Sequence, residues 1–338
     1  MGEILDISRI KYSVIAMLTN GKEVYLDKVA TNIAWEENES ELATRLNLTV
    51  RDVPIDGTRL SLLLDLGSQV YVFADYGTGM KEVFRGTFWE WKHSDVHDDE
   101  VVLTAYDALY YLQKSDHYAL YPAGKTTEEV CKDILESWSV PFVFNAPSIV
   151  HEKLALKTKK ISAMLTEVLD KAYLRLGVKY VIRATKGVCE ILGVGQNETV
   201  WTFSSDSNII TAEDKWSMSN MVTKVVIIGK DDTNGANKPP VEAVVSGRTE
   251  YGTLQKIMSL GSKTVDEAQT EANQTLAEKS WPERKLKLIA PDFPEIRKGD
   301  RIRVVTSILN RYFFVMSISH NATTQQMQME VIADESRR

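Results

Sequence analysis

The amino-acid sequence predicts a mainly β protein with an α+β insertion, built as two similar β-barrel domains and one mixed peripheral domain. Three observations carry this. A three-strand pattern near residue 66 returns near residue 298, strand-like alternation fills both ends of the chain, and helical periodicity is concentrated in the middle and in one later segment. The first copy of the pattern reads Leu66–Val72, then VFRGTFWEWKH ending at His93, then Val101–Ala105; the second reads Lys298–Val304, then YFFVMSISH ending at His320, then Met327–Val331. Gly67 aligns with Gly299, Val70 and Val72 with Ile302 and Val304, and His93 with His320. The length differences fall in polar connections, where insertions are tolerated. Alternating strands joined by turns look alike in any antiparallel protein, so the repeat is an expectation for the structure to test.

In chain order, Tyr12–Leu18 and Glu23–Leu26 flank Asn20-Gly21, and Asn-Gly supplies the positive φ angles of a tight hairpin turn. Leu42, Leu46, Leu48 and Val50 alternate as a strand with one covered face, and further strands follow from Leu60 to Leu112 with turns at Gly67, at Tyr76–Gly79 and at His97–Asp99. Residues 1–114 are therefore expected to form the first barrel domain. A mixed α/β domain at 115–217 follows. Thr126 and Glu129 have capping-box spacing, so a helix should run to about Trp138 and stop before Pro141. Ile161, Met164, Leu165, Val168, Leu169, Ala172 and Leu176 mark a second helix ended by Gly177, and Lys186-Gly187 turns a small hairpin. Residues 218–338 should form the second barrel domain, with strands at Val222–Ile228 and Glu242–Val245, a polar loop GKDDTNGANKPP between them, and a helical insertion near 251–281 opened by a second capping box at Thr264 and Glu267. The two final hairpins close the chain.

Composition narrows the function. The 338 residues exceed one ordinary core. The chain is 43% hydrophobic and 26% charged, with no apolar run long enough to span a bilayer, so no membrane partner is expected. No secretory signal is visible in MGEILDISRIKYSV, which places synthesis and folding in the cytosol. Without that route, Asn38-Glu39-Ser40 is a coincidental glycosylation match. Cys131 and Cys189 lack metal or disulfide spacing and read as buried thiols. With 40 basic and 47 acidic side chains the formal charge is −7, which argues against a dedicated nucleic-acid binder. An acidic wall still suits a conduit through which DNA slides as passing cargo, because attraction to phosphates would hold the polymer.

No catalytic residues, cofactor sites or metal sites are expected. HExxH, GxSxG, GxxxxGK[ST] and GxGxxG after a strand are all absent. The cluster His93, Asp95, His97, Asp98 and Asp99 could hold a metal in a loop, but this spacing is unspecific and suits a solvated turn. Glu36-Glu37 and Asp231-Asp232 sit in polar segments and read as solvated charge. Thr87, Trp89 and Trp91 share a face by period two, with Phe88 and Glu90 opposite, and core or subunit interface is the expected use of that aromatic face.

At Thr104–Leu112, and again at Val241–Ala243, Thr249–Lys256, Pro282–Arg284 and Pro294–Asp300, the chain resembles the baseplate hub proteins of contractile phage tails, specifically the PBSX-prophage hub type related to late control protein D. The resemblance covers nearly the whole chain, with the motifs in order and no appended lysozyme or peptidase domain. It implies a homotrimer in which two tube-forming barrels per chain build a pseudo-hexameric ring, adapting a sixfold tail tube to a threefold central spike. Tail-tube or tube-initiator protein, spike protein and neighbouring baseplate proteins are the implied partners. The implied location is the tail baseplate of a virion or a phage-tail-like bacteriocin, assembled in the bacterial host cytoplasm. Two other readings stand beside it: a hub-associated cell-wall hydrolase, which would need a catalytic group the sequence does not display, and a cell-wall sugar-binding β protein using Trp89 and Trp91.

Overall fold

The computed structural model describes residues 10–77, 79–94, 99–229, 239–261 and 263–334, and the chain is mostly β. It divides into two compact units, Met1–Glu213 with Lys287–Arg338 and Asp214–Leu286. A large sheet runs, by hydrogen-bonded neighbours, through Thr211–Ser217, Glu283–Pro291, Gln326–Ala333, Asn310–Asn321, Ala30–Glu37, Arg45–Arg51, Glu100–Tyr106, Met80–Ser94, Gln69–Asp75, Lys11–Met17 and Glu23–Tyr25. Arg301–Val305 pairs with Asn310–Asn321 and, in parallel, with Trp201–Ser204. Alternation sets which face is covered. Leu46, Leu48 and Val50, Val70 and Val72, and Val101, Leu103 and Ala105 are all buried in one core with Trp35 and Phe88.

The repeat is visible bond by bond. Gly67 and Gly299 both have φ of 89°. The Gly67 amide donates to Phe88 at 3.0 Å and the Phe88 amide returns to Ser68 at 2.9 Å; the Gly299 amide donates to Val315 at 2.8 Å and the Val315 amide returns to Asp300 at 2.9 Å. Each long strand then has a bulge immediately after that residue, between Phe88 and Glu90 and between Val315 and Ser317. His93 consequently lies opposite Val101, and His320 opposite Met327. A fourth strand belongs to the repeat and was not apparent from sequence. Leu46, Leu48, Val50 and Asp52 correspond to Leu286, Leu288, Ala290 and Asp292, all buried. Asp52 and Asp292 receive the same treatment: each amide donates to the carbonyl of the residue just before the last strand of its repeat, Asp99 at 2.7 Å and Gln325 at 2.9 Å, and both of those residues have positive φ.

The middle segment builds its own core in the first unit. Thr127–Ser137 starts from a complete capping box at Thr126 and Glu129, and Ile161–Leu176 ends at Gly177 with φ of 68°. Val130, Ile134, Leu135, Met164, Leu165 and Val168 pack with Leu109 and Leu112. Two short helices, Leu60–Leu63 and Leu109–Lys114, replace expected strand, because each is a single turn or so and carries too few residues to establish a period. Cys131 and Cys189 are buried free thiols, and burial pushes Cys189 up to about 12. In the second unit Val241–Ser246, Lys224–Ile228 and Gln255–Ser259 form a three-stranded sheet in that order. The helix Val265–Lys279, opened by the Thr264 capping box, covers Val225, Ile227 and Met258 with Ala268, Ala272 and Leu276. The tip of the polar loop, 230–238 with Asp231 and Asp232, lies outside the described residues.

Candidate functional site: an ionic junction and two histidine–aspartate pairs

The motif Pro294–Asp300 lies where the two copies of the repeat meet, in the first unit. Asn310–Asn321 joins Ala30–Glu37 there, with His320 opposite Trp35 and Ile318 opposite Glu37. Glu37 is 2% exposed, and it accepts from the Arg297 guanidinium and from the Lys298 amide at 2.9 Å. Its reading as solvated charge is thereby corrected: the partners sit about 260 positions away, beyond the reach of local sequence. Burial alone would raise the Glu37 carboxyl, but Arg297 and Lys298 outweigh it and hold the group below the ordinary carboxylate range. Lys298 Nζ donates to the carbonyls of Asn38 at 3.1 Å and Glu41 at 2.7 Å. Asp300 accepts from Arg183 at 2.9 Å and from the Arg297 amide at 3.0 Å, while Arg297 also donates to the Ala184 carbonyl at 3.0 Å.

Three stretches distant in sequence are thus tied by buried charge. Removing one member of such a set leaves an uncompensated buried ion, which is costly. Asp107 stands beside it, fully enclosed, accepting from the Thr44 and Leu109 amides at 2.9 Å each; burial pushes it up to about 6. Gly299 is required twice over, by its positive φ and because a Cβ there would lie 2.6 Å from Val181 Cγ1.

Each copy of the repeat carries a histidine facing an aspartate. In the second, His320 is completely buried; Nδ1 lies 2.6 Å from Asp292, Nε2 lies 3.1 Å from the Ile296 carbonyl, and the ring stacks on Trp35 at 4.9 Å. Tyr12 donates its hydroxyl to the other Asp292 oxygen at 2.6 Å. In the first copy the histidine is partly exposed: His93 Nε2 is 3.3 Å from the buried Asp52 and 3.5 Å from Asp99. His93, Asp52 and Asp99 are close enough to share an ion. Their oxygens already have partners, since Arg59 binds Asp99 at 3.0 and 2.9 Å and Asp52 at 3.3 Å, and Ser61 donates twice to Asp52 at 2.7 Å. A guanidinium occupying the place of the cation suits an ion-paired turn better than a metal centre. Of the residues weighed for metal, Asp95, His97 and Asp98 lie outside the described residues, and Asp52 was missed because it precedes His93 by four strands' worth of chain.

The aromatic stripe is split by the bulge. The extra residue at Trp89 reverses parity, so Trp91 and His93 follow Phe88 onto one side, opposite Leu103 and Val101. Trp89 instead packs on Tyr110 and Tyr111 at 4.8 and 5.0 Å. The expected shared face of Trp89 and Trp91 is therefore corrected, and with it the flat platform a sugar would need. Among the described residues no helix is long and apolar enough to cross a membrane.

Comparison with known proteins follows the same lines. The YQBQ-like family pattern matches residues 33–332. The chain belongs to the YQBQ-like family. No curated protein sequence matches this YQBQ-like chain. Its fold resembles a tail protein from Neisseria meningitidis MC58, with TM-score 0.71, 16% identity, and 96% of this chain and 97% of that one covered. It also resembles the 43 kDa tail protein of prophage MuSo2 from Shewanella oneidensis, at TM-score 0.69 and 12% identity over 95% and 98%. The E. coli c3393 protein, a type VI secretion component with structural similarity to the T4 tail proteins gp27 and gp5, aligns at TM-score 0.54 and 13% identity over 97% and 78%. The YQBQ-like chain therefore has a phage-tail-protein fold.

Proposed function

We propose that this chain is the structural baseplate hub of a contractile phage tail or phage-tail-like particle. Three copies form a ring, and the two repeats in each chain present six near-equivalent barrel positions to the tail tube while threefold symmetry remains for the central spike. The observation that carries this is the duplication itself. Matching glycine turns, bulges, positive-φ residues and histidine–aspartate pairs make the repeats equivalent in backbone, as a pseudo-sixfold ring requires. The work is static and non-enzymatic: holding a ring together while neighbouring tube, spike and baseplate proteins dock on it and DNA passes through the lumen. The middle segment 115–217, with its separate helical core, faces the neighbouring baseplate proteins.

Imaging the assembled particle tests this. Three copies around the tail axis, each supplying two repeats, are expected. Six copies, or one repeat per chain in the ring, would sink the proposal.

A further inference from the structure

The chain contains one complete seam between repeats, and its counterpart is left open. Within the chain, Ile318–Asn321 of the second repeat pairs antiparallel with Ala34–Glu37 of the first, Ser319 standing opposite Glu36. The equivalent edge of the first repeat is Trp91–Ser94, on the side away from Glu100–Tyr106. Among the described residues no strand pairs there, because Gln69–Asp75 reaches only to Thr87. The strand equivalent to Ala30–Glu37 in the second repeat is Thr211–Ser217. It pairs with Glu283–Pro291 as Ala30–Glu37 pairs with Arg45–Arg51, and its residues 211–216 are all exposed. The strand carries its own charged fork, Arg284 onto Asp214 at 2.9 and 2.6 Å.

We infer that the ring closes through a seam in which Trp91–Ser94 of one chain pairs antiparallel with the exposed strand Thr211–Ser217 of the next, repeating between chains the pairing that Ile318–Asn321 makes with Ala34–Glu37 within each. Lys92 and His93 then lie against Glu213 and Asp214, so basic side chains meet acidic ones. An open strand edge is a template for another chain, and here each chain carries one edge of each kind. Such a head-to-tail contact closes into a ring instead of growing when the rotation per chain is one third of a turn. This inference rests on the hub reading and adds which strands meet.

The test uses assembled particles. Carbodiimide treatment of the unmodified particle should join Lys92 to Asp214 or Glu213 of another chain, read as a cross-linked peptide by mass spectrometry. Of particles carrying Lys92→Cys with Glu213→Cys and particles carrying Lys92→Cys with Asp214→Cys, one pair should, on oxidation, give a covalent species of three chains and nothing longer. Ser319→Cys with Glu36→Cys should link only within one chain. Threefold particles in which neither reagent joins residue 92 to 213 or 214 would overturn the seam and leave the hub intact. A ladder running past three chains, or a 92–214 link inside one chain, would also overturn it. Particles with six copies or one repeat per chain in the ring would remove the hub reading, and the seam with it.

Discussion

Gly67 and Gly299 share a φ of 89° yet have different surroundings, so the same substitution separates backbone strain from crowding. An alanine at either position must adopt a left-handed conformation, which costs roughly 1–2 kcal/mol. At Gly67 the new methyl would meet only Thr19 Cγ2, at 4.0 Å. At Gly299 it would lie 2.6, 2.8 and 3.0 Å from Val181 Cγ1, Cβ and Cγ2, in a buried site held by the Arg183 and Glu37 ion pairs. Overpacking of that kind adds about 1–3 kcal/mol. Gly299→Ala should therefore cost about 2–5 kcal/mol against about 1–2 for Gly67→Ala. Val181→Ala removes both γ carbons and should return at least about 1 kcal/mol to the Gly299→Ala chain, a coupling measurable in a double-mutant cycle. Urea unfolding followed by tryptophan fluorescence supplies all four free energies. Equal costs at the two glycines, or no coupling between positions 181 and 299, would refute the crowding argument.

Two further outcomes follow from the junction. Glu37→Gln leaves Arg297 and Lys298 without their buried counter-charge and should destabilise by about 3–5 kcal/mol, whereas Glu36→Gln, at a half-exposed pair with Arg45, should cost under about 1 kcal/mol; urea midpoints that rank the two in the other order would contradict the assignment. Asp107, raised to about 6 from an ordinary 3.8, binds its proton more tightly folded than unfolded, so its contribution is full below 3.8 and is lost as pH rises through 6. Asp107→Asn should flatten that part of the stability profile between pH 4 and pH 6 by up to about 3 kcal/mol, and an unchanged difference between the two profiles would show that the carboxyl does not titrate there.

What was legible in the sequence was local. The capping boxes at Thr126 and Thr264, the apolar spacing from Ile161 to Leu176, and the glycine turn with its alternating strand at Gly67 and again at Gly299 each depend on residues within a few positions of one another. What escaped depends on distance in the chain. Glu37 reads as solvent-facing until Arg297 and Lys298 are folded onto it, and a bulge at Trp89, which no residue type announces, reverses the expected face of Trp91. The fourth repeated strand hides because Leu-x-Leu-x-Val and Leu-x-Leu-x-Ala are common, and only the aspartate that follows each, aimed at its histidine, gives them identity. Pro294–Asp300 is one of the five stretches that carry the resemblance to tail hubs, and the sequence alone offers no reason for its residues. The junction supplies one.

The pairing of Asn310–Asn321 with Ala30–Glu37 also imposes a timetable. Ala30–Glu37 leaves the ribosome early, but its partner strand follows after about 280 residues, a wait of roughly 15–60 s at ordinary rates of synthesis. Throughout that interval the nascent chain holds a strand edge that fits a sister chain as well as its own unborn C-terminal hairpin. On a polysome, where sister chains are crowded, mispairing competes with completion. Slowing elongation after residue 106 should therefore raise the fraction of chains lost to aggregates, and stalled chains ending near residue 300 should be held by chaperones until released. Full-length chains, whose edge is already filled from within, should not.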